Sequence, residues 1–277
     1  SYTVSNETAC STSSLCSYII NGLEPASEHD ISILASTYGV LNNDACFLFG
    51  ITMPEVPVCL NVTSLSPTAL QIYWRVNYNG GALYFLINHD GSERYTNVSK
   101  EFACSPNSAL CNHNITDLQP GKTYDIQIFT SAYGVQNSHS CSLSGTTMPN
   151  TPDCSQVKTL STSALQVFWR INVTGAATDF QIRVGVQNLT VSLTDICNAS
   201  SDWFYLCEYN VTGLHPGSVY DVAIFSSTNG IQNDKFCSLH GTTMPEAPTC
   251  LNVTSLSPTV LQIQWQITYT GGATYFH

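Results

Sequence analysis

The chain has 277 residues, 43% of them apolar and only 10% charged, with eight Lys and Arg against 19 Asp and Glu for a formal net charge of −11. That length allows two or three domains with packed cores, and the acidic balance leaves no basic stripe for nucleic acid or an anionic membrane. No run of about 18 apolar residues spans a membrane within this window, and no signal peptide is visible, so the sequence reads as a mature or cropped chain.

Short strands and turns follow one another along the chain. Residues 1–53 carry Cys10, Cys16 and Cys46, the stretch "LEPASEH" and the turn "TYGVLNN". The joint "GITMPEVPVC" leads into "ALQIYWRVN", where Leu70, Ile72, Trp74 and Val76 share one face and Gln71, Tyr73 and Arg75 the other. That period of two marks a strand with one buried face. Turn signals "NYNGG", "NHDG" and "LQPG" come next, and "KTYDIQIFT" alternates again with Tyr124, Ile126 and Ile128 inward. The turn "AYGVQNS" and the joint "GTTMPNTPDC" open a second passage through the same elements. The turn "TNGIQND" precedes a third passage, which stops on "GGATYFH" where the earlier "GGALYFL" runs on. No segment shows a helical period.

Repetition dominates. "TMPEVPVCLNVTSLSPTALQIYW" at 52–74 returns at 147–169 and at 243–265, placing Trp74, Trp169 and Trp265 about 95 residues apart. A period of that size is a whole small domain. Twelve cysteines fall into four series on the same period: Cys10, Cys104 and Cys197; Cys16, Cys111 and Cys207; Cys46, Cys141 and Cys237; Cys59, Cys154 and Cys250. No C-x-x-C pair occurs, and no His stands at ligand spacing, so disulfides in an oxidising compartment are expected rather than zinc. Asn-x-Ser/Thr occurs at Asn6, Asn61, Asn97, Asn114, Asn172, Asn188, Asn198, Asn210 and Asn252. Glycans at these nine positions would keep so charge-poor a surface in solution. A secreted, extracellular or cell-surface glycoprotein follows.

The repeat resembles a fibronectin type III domain. A Trp sits on the second strand, Leu-x-Pro-Gly-x-x-Tyr appears as "LQPGKTY" (118–124) and "LHPGSVY" (214–220), and "TTMP" closes the domain. The resemblance covers the whole chain and implies an all-β fold, tandem seven-stranded antiparallel β-sandwiches arranged as beads on a string. It divides the chain into the second half of a domain (1–53), two complete domains (54–148 and 149–244) and the first half of another (245–277). It also implies a tyrosine corner at Tyr124 and Tyr220. The first repeat departs from the motif, with Ala26 for the Gly and His29 for the Tyr. An immunoglobulin domain would need its paired cysteines on the second and sixth strands, where this chain has none.

Within that resemblance the cysteines bracketing short loops read as local pairs: Cys10–Cys16, Cys104–Cys111 and Cys197–Cys207. The type III fold places the starts of its first and last strands at one end, which implies Cys59–Cys141 and Cys154–Cys237. Cys46 and Cys250 are left for partners outside these sequences, either in a continuing chain or in another copy. The Pro-containing joints favour a semi-rigid connection; an ordinary tandem array would keep hinge freedom.

No Gly-x-Ser-x-Gly, P-loop, dinucleotide fingerprint or His-Glu-x-x-His occurs, so the sequence offers no catalytic residue, metal set or cofactor. His-Asp neighbours at 29–30 and 89–90 read as a strand edge and a turn. Gly39, Gly134 and Gly230 read as turn glycines. Outward aromatics Tyr73, Phe129, Phe168 and Phe225 could form a lateral contact stripe. The reading that results is a structural glycoprotein forming a rod or filament, whose partners are N-linked glycans and copies of itself or the continuing chain. An adhesion or receptor ectodomain, or type III spacers beside a catalytic domain elsewhere, are the competing readings.

Overall fold

A computed structural model describes every residue except 1–2, 6–8, 11–14, 78, 92–93, 107, 201–202 and 268–271. The fold is all-β, in tandem antiparallel sandwiches. Two compact units form, residues 1–61, 73–113 and 125–143 in the first and residues 62–72, 114–124 and 144–277 in the second.

The second unit contains a full sandwich. One sheet runs in the order Asp153–Thr159, Leu165–Asn172, Phe204–Val211, Cys197–Ala199. The other runs Gln187–Ser192, Asp179–Val184, Val219–Thr228, Ile231–Thr242. Leu165, Val167, Trp169 and Ile171 from the first meet Phe180, Ile182, Val222 and Ile224 from the second, each at most 2% exposed. Burying side chains of this size stabilises the fold by about 1.5–3 kcal/mol apiece. Trp169 packs edge-on against Phe180 with centroids 5.3 Å apart. It stands in register between Cys154 and Cys207, so its indole is flanked by two disulfide-bonded strands.

In the first unit Tyr84–Asn88 pairs with Thr96–Ser99 on one side and with residues 127–131 on the other. Trp74 meets Phe85 edge-on at 4.9 Å. The alternation Trp74, Val76 and Ile126, Ile128 points inward as its period requires, all four side chains being buried. Glu28–Ile33 and Cys46–Ile51 form an antiparallel ladder in the same unit. A similar ladder, Thr249–Ser257 with Val260–Gln266, lies in the second unit, where Trp265 sits 5.6 Å from Phe276.

Two single-turn helices, Lys100–Ala103 and Leu193–Ile196, are elements that periodicity does not show. Four residues are too few to display a helical repeat. Each ends on a bridged cysteine, Cys104 or Cys197. The five disulfides are Cys10–Cys16, Cys104–Cys111, Cys197–Cys207, Cys59–Cys141 and Cys154–Cys237, the last two closing 82 and 83 residues. By the chain-entropy model a loop of that size stabilises by roughly 4–5 kcal/mol. Cys46 and Cys250 are free and exposed.

Candidate functional site

The most elaborate polar arrangement is the joint between successive repeats, and it recurs. Thr147, fully buried, donates from Oγ1 to Gln119 O at 2.7 Å and accepts from Lys122 N at 3.1 Å. Thr243 does the same with His215 O at 2.6 Å and Ser218 N at 3.0 Å, and Thr52 with Glu24 O at 2.6 Å and Ser27 N at 3.0 Å. The following Met carbonyls accept from Ala26 N, Gly121 N and Gly217 N at 3.2, 3.0 and 2.9 Å. These bonds fasten each Pro-containing joint to the loop preceding a long strand. Pro has no N–H to donate, so the Thr hydroxyl is the side-chain donor to the loop carbonyl, while the Thr oxygen and the Met carbonyl accept the loop N–H groups.

The far side of the joint is held as firmly. Asn137 and Asn233, both buried, donate from Nδ2 to Pro54 O and Pro149 O, each at 2.7 Å. Thr130 and Ser226 donate from their hydroxyls to Glu55 O at 2.8 Å and Asn150 O at 2.6 Å. Glu55 N and Asn150 N donate to Gly80 O and Gly175 O, each at 2.9 Å. The Asn residues come from the repeated turn. That turn places Tyr133 and Gly134 at φ 48 and 78 and Asn229 and Gly230 at φ 49 and 78. Two successive left-handed residues make a two-residue hairpin turn. Sequence reading assigned the glycines to it and missed the Asn. The recurrence of Asn137 and Asn233 three residues beyond the turn glycine was the available signal.

The tyrosine corners are present: Tyr124 Oη accepts from Gln119 N at 2.8 Å and Tyr220 Oη from His215 N at 2.7 Å. His29 takes the Tyr position in the first repeat. Among the described residues its Nε2 has no hydrogen-bond partner.

The outward aromatics do not form one stripe. Phe168 lies on Leu165–Asn172 and Phe225 on Val219–Thr228, in different sheets. Phe225 is buried, with the Arg183 guanidinium 4.3 Å above its ring and Phe236 4.7 Å away. Lys158 covers Phe168 at 4.8 Å, and Tyr95 meets Phe129 at 5.8 Å. Tyr73 sits half-buried on Ala69–Arg75. Cross-strand neighbours cover these rings locally.

Seven sequon asparagines, Asn61, Asn97, Asn114, Asn188, Asn198, Asn210 and Asn252, are exposed at strand positions. Asn172 is half-buried and caps a short 3₁₀ turn, its Oδ1 accepting from Thr174 N at 3.0 Å. Asn6 lies outside the described residues. An open cleft of about 320 Å³ is lined by Pro67, Asn150, Arg170, Asn172, Phe204 and Lys235 among others. Its Arg170 is already engaged, 2.6 Å from Asp153 and stacked 5.2 Å from the Phe204 ring centre. His89 and Asp90 lie at a turn held by Asn88 Oδ1, which accepts from Asp90 N and Gly91 N. Partial burial holds the His113 imidazole below its ordinary pKa by desolvating the charged form. Among the described residues no cluster of three or more His, Cys, Asp or Glu could hold a metal ion, and no helix is long and apolar enough to cross a membrane.

No protein-family model matches the chain. A mouse protein, receptor-type tyrosine-protein phosphatase eta, is 25% identical over 260 residues, which cover 93% of this chain and 19% of that protein. The chain therefore spans about a fifth of that relative's length. Among solved structures, a two-domain fibronectin type III segment of chicken tenascin is 16% identical with a TM-score of 0.39, covering 68% of this chain and all of the segment. The first to third type III domains of chicken contactin 1 are 16% identical with a TM-score of 0.34, covering 80% of this chain and 77% of theirs. The repeated motifs, the tyrosine corners and the strand order of the sheets describe tandem type III-like domains.

Proposed function

We propose that this chain is part of an extracellular structural glycoprotein, secreted or at the cell surface, whose tandem type III-like domains build a rod or filament. The observation that carries the reading is the repeated joint, where the same Thr, Met and Asn positions fasten each connection by hydrogen bonds. Joints so fastened transmit direction from one domain to the next, which a flexible tether does not. The segment acts by spacing and contact, without catalysis, and its exposed sequons carry the N-linked glycans. Small-angle scattering of the glycosylated chain tests this. A compact globule of this length has a radius of gyration of about 19 Å; a rod gives a clearly larger value and a scattering curve fitted by one fixed shape. A compact particle, or a broad ensemble of joint angles, would refute it.

The free cysteines support an array of further repeats. Cys46 holds the repeat position of Cys141 and Cys237, and Cys250 that of Cys59 and Cys154, which are bridged pairs. A Cβ on Gly145 or Gly241 would lie 2.4 or 2.5 Å from a methyl of Val62 or Val157, whereas one on Gly50 would meet nothing within 4 Å. Val253, at the position of those valines, is 60% exposed. In the proposed array a segment like 249–276, from the continuing chain or another copy, covers the 28–51 ladder, and a Cys46–Cys250-type bridge closes it. Non-reducing peptide mapping should return that bridge beside the five internal ones. Free Cys46 and Cys250 thiols in the assembled protein would refute it, and a reducing, denaturing gel distinguishes a continuing chain from separate copies.

The second reading, an adhesion or receptor ectodomain, is favoured by the receptor-type relative. Cell fractionation separates the two: membrane retention after high-salt washing supports the receptor reading, release supports the rod.

A further inference from the structure

At every joint two loop backbones touch, and the contact has a sequence rule. Ala26 and Gly81 meet at the first joint, Gly121 and Ala176 at the second, Gly217 and Gly272 at the third. All six residues have positive φ, between 48° and 71°. A Cβ on Gly81 would stand 2.3 Å from the Ala26 Cβ and 2.9 Å from Pro25 O. A Cβ on Gly121 would stand 2.6 Å from the Ala176 Cβ and 2.8 Å from Ala176 O. At the third joint, where neither residue has a side chain, the backbones have closed further. A Cβ on Gly217 would lie 2.6 Å from the Gly272 Cα, and one on Gly272 2.5 Å from the Gly217 Cα. The loops thus approach until they touch, held apart by one methyl at two joints and by none at the third.

We propose that this contact is a keyed docking surface: the Leu-x-Pro-Gly/Ala loop of one domain receives the Gly-Gly/Ala loop of the next type III-like domain of this kind, and the pair accepts no more than one methyl. The ligand of the surface is another copy of the repeat, selected by the residue at one position. A repeat ending in Pro-Ala, like Pro25-Ala26, accepts only a follower with Gly in the place of Gly81. A repeat with Pro-Gly, like Pro120-Gly121, accepts Ala or Gly. The key therefore constrains the order in which repeats succeed one another. The glycine requirement is separable from ordinary turn chemistry. Gly39, Gly134 and Gly230 also have positive φ, 78–82°, yet a Cβ on any of them would meet nothing within 4 Å. Alanine in the left-handed region is tolerated here, as Ala26 and Ala176 show at φ 48 and 52, so the prohibition comes from crowding and not from φ alone. The inference stands on the joint itself and holds equally for a rod and for an adhesive ectodomain.

The test moves the methyl. Gly81→Ala puts two methyls into the first joint; Ala26→Gly combined with Gly81→Ala restores one, on the opposite loop, in the arrangement found at the second joint. The readout is amide hydrogen exchange on the oxidised, glycosylated chain at Ala26 N and Glu55 N, which donate across the first joint to Met53 O and Gly80 O. Gly81→Ala should speed exchange at both amides by about ten-fold or more, leave Gly121 N and Asn150 N at the second joint unchanged, and be reversed in the double variant. Gly39→Ala controls for the left-handed backbone, since Gly39 has φ 82 with nothing within 4 Å of its added Cβ, and should leave all four amides unchanged. Unaltered exchange in Gly81→Ala, or equal loss in Gly39→Ala, would overturn the proposal. If Gly81→Ala fails to fold, recovery of the folded protein in the double variant supports the key, and failure of the double variant overturns it.

Discussion

Replacing Thr147 by Val isolates the polar part of a joint, because the two side chains are nearly the same size and only the hydroxyl is lost. Thr147 is fully buried, so water does not reach the vacated position. Two groups lose their partner: Lys122 N–H, which donates to Thr147 Oγ1 at 3.1 Å, and Gln119 O, which accepts from it at 2.7 Å. The backbone bond from Thr147 N to Lys122 O at 3.1 Å is untouched. Leaving a buried donor or acceptor unsatisfied costs about 1–3 kcal/mol. Both groups are only partly buried, which puts their sum near the low end, about 2–3 kcal/mol. For a domain of 60–100 residues that lowers Tm by roughly 10–20 °C. The assay is scanning calorimetry of the oxidised chain, with Thr146→Val as the comparison. Thr146 Oγ1 bonds Thr123 Oγ1 at 2.8 Å at the exposed surface, where a loss falls within about 0.5 kcal/mol. A Thr147→Val transition no lower than that of Thr146→Val would refute the account of the joint.

Asn233→Ala removes the bond to Pro149 O at 2.7 Å and the acceptor for Lys235 N at 2.9 Å; in a fully buried position this should destabilise by about 2–4 kcal/mol, read as a fall in urea midpoint. Enzymatic removal of N-glycans should lower the mass toward the bare 30.1 kDa polypeptide and reduce solubility, because few charges remain; an unchanged mass would defeat the glycan expectation. His113, whose folded pKa is held below its ordinary value of 6.5 by burial, binds protons more readily when unfolded. Its contribution to stability is therefore present above that value and lost as the pH falls below it. His113→Gln should flatten the decline in Tm between about pH 7.5 and 5.5, and an identical decline in both proteins would count against burial as the cause.

The strands and their faces were readable because a half-buried strand imposes a period of two that no other element shares. Leu70, Ile72 and Trp74 announce their face in the sequence and are fully buried in the fold. The repeat length was equally plain, since three copies of one pattern need no structure to be counted. Tyr124 and Tyr220 followed from the type III resemblance and bond as it implies. What one-dimensional reading lacked was distance between residues far apart in the chain. Phe225 alternates as an outward residue, yet Arg183 and Phe236 from neighbouring strands cover it. Asn233 reads as one more polar residue after a turn, yet it reaches Pro149, 84 positions away. Ala26 reads as a departure from a glycine motif, yet its methyl occupies space that Gly81 leaves open. Local pattern determined which residues are inside a domain, because burial there is set by periodicity along one strand. Only the tertiary structure decided how one domain is fastened to the next, because that contact joins loops about 55 residues apart through backbone groups whose partners the sequence does not name.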